Sequence, residues 1–110
     1  MSESLMVLGQ VVPSPTTLTA LYTVPAATMT SVSSLFICNQ NGGLVANIRI
    51  SLAIGGAADA PAQYLYYALP VNPLDTFVAT VGLSLASGDI IRCYSDQSNV
   101  SFNLTGVQVQ

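Results

Sequence analysis

Hydrophobic and polar residues alternate with a period of two along most of the chain. Over residues 45–54, Ile48, Ile50, Leu52 and Ile54 fall on one side, and Asn47, Arg49, Ser51 and Ala53 on the other. Over 77–85, Phe77, Ala79, Val81, Leu83 and Leu85 alternate with Val78, Thr80, Gly82 and Ser84. Successive Cβ atoms of a strand point to opposite faces of its sheet, so this period marks strands with one buried face. The last run begins the same way, with Val100, Phe102 and Leu104 in phase. Val107 and Val109 are out of phase with them, and Gly106 stands at the break. A bulge or bend at Gly106 is expected to restore a single buried face.

Turn signals separate the runs: Pro13-Ser14-Pro15, Pro25-Ala26, Asn41-Gly42-Gly43, Gly55-Gly56, Pro70 with Pro73, Ser87-Gly88-Asp89 and Asp96-Gln97-Ser98-Asn99. They delimit eight predicted strands, near 5–11, 17–24, 31–39, 45–54, 62–69, 76–85, 90–95 and 100–109. No segment carries a 3.6-residue apolar stripe. Residues 57–62 are Ala-rich, but Asp59 and Pro61 make them a loop. Short strands at this spacing predict one all-β domain, an antiparallel sandwich of jelly-roll type. The sandwich is expected over residues 16–110. Residues 1–15 are expected to be an N-terminal arm or added strand, stiffened by two prolines, with Val7, Leu8, Val11 and Val12 as its apolar contacts.

Composition narrows the partners. Of 110 residues only 6% are charged, against roughly 25% in an average soluble protein. The bases are Arg49 and Arg92; the acids are Glu3, Asp59, Asp75, Asp89 and Asp96. Two arginines cannot neutralise a phosphate backbone or hold an anionic membrane surface, so no nucleic acid and no membrane is expected. No apolar run reaches the roughly 18 residues a membrane helix needs. The N-terminus carries Glu3 and no basic stretch, unlike a secretion signal. A free monomer keeps itself dispersed with a mixed charged surface, so one this neutral points either to a chain that works inside an assembly or to a surface kept wet by Ser, Thr, Asn and Gln.

The inventory also argues against catalysis. Without His or Lys, no Ser-His or Ser-Lys pair can be built, and no His-type or CxxC metal site exists. Asp75, Asp89 and Asp96 sit at turns, where Asp normally bonds nearby backbone. No enzyme, no cofactor and no small-molecule substrate is expected. Cys38 and Cys93 read as small hydrophobes in strands, bonded only if those strands are neighbours. The candidate interface residues are Arg49 and Arg92, each in an otherwise apolar strand, and Tyr64, Tyr66 and Tyr67. Alternation places Tyr64 with Tyr66 on one face and Tyr67 with Leu65 on the other. A tyrosine face could pack in the core, stack on a sugar or meet another protein.

Four stretches, TTLTALYTVPAA, SVSSLFICNQ, YLYYALPVNPLDTF and LSLASGDIIRCYSDQSNVSFNLTGVQV, resemble the small β-sandwich structural proteins of tailed-bacteriophage virions. The shared features are the LYTVPA opening, a strand ending in Cys38-Asn39, the YLYY strand, the L.SGD.IR.Y segment and the closing VSF.L.GV. The resemblance spans residues 16–109 and carries no catalytic residues. It implies a capsid cement or decoration protein, commonly a homotrimer. Such a protein is made in the host cytoplasm and bridges major capsid proteins on the outer surface of the head. The alternative it implies is a tail, neck, baseplate or fibre component that binds a receptor or glycan.

Overall fold

The computed structural model describes residues 3–110; Met1 and Ser2 of the expected arm lie outside them. Eight strands follow one another: β1 (Glu3–Val11), β2 (Thr19–Thr23), β3 (Met29–Asn39), β4 (Ala46–Ala53), β5 (Tyr64–Val71), β6 (Thr76–Leu85), β7 (Ile90–Ser95) and β8 (Val100–Val109). Two short 3-10 turns, Ile54–Gly56 and Pro61–Gln63, lie between β4 and β5. One four-stranded sheet has the order β1-β8-β3-β6 and the other β2-β7-β4-β5. Strands β1 and β8, β2 and β7, β3 and β6, and β4 and β5 all pair antiparallel. The chain is thus one long hairpin of four strand pairs rolled into a sandwich, which is the jelly-roll arrangement.

The alternation seen in the sequence sets the core. Leu35 and Ile37 of β3 and Phe102 and Leu104 of β8 meet Ile48 and Ile50 of β4 and Ile91 and Cys93 of β7, all essentially inaccessible. Each such side chain contributes about 1.5–3 kcal/mol by leaving water. In β6 the predicted inner set holds throughout: Ala79 and Leu85 are buried, and Phe77, Val81 and Leu83 pack against the core. In β4, Leu52 also packs inward, but Ile54 has left the strand for a turn and is exposed.

Residues 3–11 take the form of a strand added to their own sheet, paired with β8 from Glu3↔Val109 to Val11↔Phe102. Leu8 and Val11 pack against the core, whereas Leu5, Met6, Val7 and Val12 are exposed. Pro13, the first residue of the proline turn, is buried.

Gly106 differs from expectation. The extra residues sit in the neighbouring strands, at Leu8 of β1 and Ser33 of β3, and β8 itself runs through. Gly106 is where those backbones close in. A Cβ there would run into the Ser31 carbonyl oxygen and press on Val32 Cα and Leu8 Cδ1. With β8 unbent, Val107 and Val109 stay out of phase. Both are half-buried, beside Leu5 and Glu3 of β1 and Ser31 and Met29 of β3.

Polar side chains tie the ends of the sandwich. Buried Asn39 donates to the carbonyls of Leu44 and Val71 and accepts from the backbone and side-chain nitrogens of Asn41. Buried Asp89 accepts from the backbone nitrogens of Gly55 and Ala86, joining the β6–β7 turn to the end of β4. Asp96 accepts from the backbone and side chain of Asn47, and Asp75 from Thr76 N. Both cysteines are free: Cys93 faces the core from one sheet, and Cys38 lies half-buried in the other.

Candidate functional site

The two outer faces of the sandwich are chemically unlike. On the β2-β7-β4-β5 sheet, Arg49 lies directly opposite Tyr67 of β5 on one side and Tyr94 of β7 on the other. Its guanidinium carbon sits 4.4 Å from the centroid of each ring. A cation between two aromatic faces gains about 0.5–1 kcal/mol from each at a partly exposed site. One row along, Ser51 lies between Tyr64 and Arg92. Arg92 donates to the Ala57 carbonyl at 2.9 Å and the Gly56 carbonyl at 3.5 Å, which pins the turn after β4.

Two irregularities in β5 build this face. The pairing with β4 skips Leu65 and Ala68, and Ala68 has a left-handed φ of 57°. The bulge at Leu65 puts Tyr64 with Tyr67, their rings 5.2 Å apart and nearly perpendicular at 89°. Tyr66 turns inward instead, against Phe77 at 5.6 Å. The expected grouping of Tyr64 with Tyr66 is therefore corrected, because one extra residue inverts the alternation. Tyr64 Oη donates to Asp59 Oδ2 at 3.0 Å. Burial, and then the Asp59 carboxylate, push the Tyr64 phenol above its ordinary pKa, partly offset by the nearby Arg49. Arg49, Tyr64 and Tyr67 on the strands and Asp59, Ala60 and Pro61 on the loop enclose a cleft of about 580 Å³.

The outer face of the β1-β8-β3-β6 sheet has almost no charge. Its rows follow from the strand registers. Gln10, Asn103, Phe36 and Val78 form one; Val7, Thr105, Ser34 and Thr80 the next; then Leu5, Val107, Ser31 and Ser84. The row Glu3, Val109 and Met29 holds the one charged side chain of this face among the described residues. Leu5 is 86% exposed, Met29 65% and Val78 51%. Val7 lies here at the free edge, with Leu8 and Val11 turned inward and Val12 just beyond the strand.

The structure thus brings Arg49, Tyr64 and Tyr67 together, leaves Arg92 holding a turn, and removes Tyr66 to the core side. Sequence reasoning missed Tyr94, Asp59 and Pro61 on the one face, and Phe36, Val78 and Met29 on the other. Tyr94 could have been found only by knowing that β4 lies between β5 and β7.

No protein-family model matches the chain, and no curated protein matches it. Among solved structures, it is similar to a pentameric capsid protein isolated from metagenomic phage sequences, with 17% identity and a TM-score of 0.34. The match covers 97% of this chain, which spans 63% of the length of that one. The pentameric assembly is a property of that protein.

Proposed function

We propose that this protein is a structural component of a phage virion, a cement or decoration protein on the outer surface of the capsid. It acts as a homotrimer that bridges adjacent major capsid proteins. The observation that carries this reading is the outer face of the β1-β8-β3-β6 sheet, charged only at Glu3 among the described residues and edged by exposed Leu5, Met6 and Val7 of β1. A face this poor in charge, with Leu5, Val7, Phe36, Val78 and Met29 exposed among Ser, Thr and Asn, is suited to lie against another protein. The free edge strand β1 is long and its one charge, Glu3, sits at its tip, so most of its edge is a template for pairing. Ser, Thr and Val between the larger side chains give close contact without the desolvation cost of buried charge. The sequence resemblance to small virion β-sandwich proteins points the same way.

The experiment is a count. Purified heads and tails are separated, and this protein is quantified in each by mass spectrometry. The proposal expects copies in proportion to the shell protein. A few copies confined to the tail would replace it with the tail, neck, baseplate or fibre reading. Sedimentation of the purified protein tests the trimer: a monomer in solution that also sits singly in the particle would remove it.

A further inference from the structure

We infer that the cleft between the Tyr64–Tyr67 pair and the Asp59–Pro61 loop is a saccharide-binding site. It lies on the sheet opposite the proposed shell-facing surface, so it does not depend on that reading. Its volume of about 580 Å³ falls within the roughly 300–1,000 Å³ of small-ligand pockets. Tyr67 is 62% exposed, yet its ring is fixed against Arg49 and Tyr64. An aromatic surface already held in place loses little freedom on binding. Tyr64 Oη donates to one oxygen of Asp59, which orients the carboxylate and leaves its other oxygen to accept from a ligand.

The charges select the ligand class. One guanidinium and one carboxylate line the same cleft. A phosphate would meet Asp59 and an ammonium would meet Arg49. A neutral polyol suits both, since its hydroxyls donate to the carboxylate and accept from the guanidinium. The ring faces, Ala60 and Pro61 then suit the C–H face of the same ligand. A molecule with hydroxyls on its rim and an apolar face is a pyranose sugar.

The test is an NMR titration of the ¹⁵N-labelled full chain with glucose, galactose, mannose, rhamnose and N-acetylglucosamine, and with inorganic phosphate and choline as charged probes. At least one saccharide is expected to shift the amides of residues 57–67 together with Arg49 and Tyr94. Tyr67→Ala and Asp59→Ala, both at exposed positions and checked for a native-like dispersed spectrum, should each weaken that binding at least about tenfold, equivalent to 1.4 kcal/mol. Phe36→Ala, on the opposite sheet, should leave it unchanged. The inference is overturned if no saccharide shifts these amides, if only phosphate or choline binds, or if Tyr67→Ala binds as the native chain does.

Discussion

Tyr64 and Tyr67 share one face of β5, ring against ring at 5.2 Å, although a regular strand would place residues three apart on opposite faces. The bulge at Leu65 that unites them turns Tyr66 toward Phe77 and the core. The three tyrosines should therefore differ in energy. Tyr66→Ala empties space against the core and is expected to cost about 2–4 kcal/mol. Tyr67→Ala removes an exposed ring and one side of the Arg49 stack, at a cost of about 1 kcal/mol or less. Urea unfolding of both variants checks the ranking, which equal losses would contradict.

Gly106 is expected to reject any side chain. A Cβ would strike the Ser31 carbonyl and crowd Val32, both main-chain atoms of β3 that cannot step aside. Gly106→Ala should lose about 1–3 kcal/mol, as overpacking does. Gly82→Ala, where a Cβ would meet nothing within 4 Å, should be neutral or slightly stabilising. Thermal melts of the two variants make the comparison.

Asp89 should matter more than the other turn carboxylates. It is 7% exposed and satisfies the amides of Gly55 and Ala86. Asp89→Ala leaves two part-buried donors without a partner, at about 1–3 kcal/mol each. Asp75, exposed and with its carboxylate bonded only to the next residue's amide, should lose about 0.5 kcal/mol or less on the same change. Denaturant midpoints at neutral pH test the contrast.

Alkaline pH should unfold the protein through Cys93. Burial pushes its thiol from an ordinary value of 9.0 up to about 12. The folded state then holds the proton more tightly than the unfolded one, so this contribution is complete below pH about 9 and is lost as pH rises toward about 12. A rise of that size corresponds to a loss on the order of 4 kcal/mol. Tyr64, also raised, adds in the same direction above its ordinary value of 10.0. Cys93→Ala should flatten the alkaline limb. In the native protein a thiol reagent should reach half-buried Cys38 and leave Cys93 untouched until unfolding.

What the sequence made legible follows the same physics. Phe77 to Leu85 and Val100 to Leu104 could be assigned to a face because nothing interrupts their alternation, and a core needs only that pattern. Leu65, Ser33 and Leu8 look like ordinary strand residues, yet each is the extra one in a bulge. Bulges arise where two backbones must stay in register, a relation between strands that no single run displays. The cleft was hidden for that reason. Arg49, Tyr67 and Tyr94 belong to three strands, and their meeting depends on the order β7-β4-β5. The charge-poor face was legible as composition but not as a place. Low charge was plain from the residue counts, whereas its concentration on one sheet needed the registers.

The central proposal is that the outer face of the β1-β8-β3-β6 sheet, charged only at Glu3 among the described residues, holds the protein to a phage head. It is tested most directly by adding purified protein to DNA-filled heads that lack it and following DNA release as temperature rises. The native protein should bind and raise the release temperature. Its binding should persist at about 1 M salt, where the Debye length is roughly 3 Å, because charge contributes little to the contact. The double variant Phe36→Asp and Val78→Asp, folded by circular dichroism, should neither bind nor protect. Equal release temperatures with and without the native protein, or its detachment by salt alone, would contradict the account.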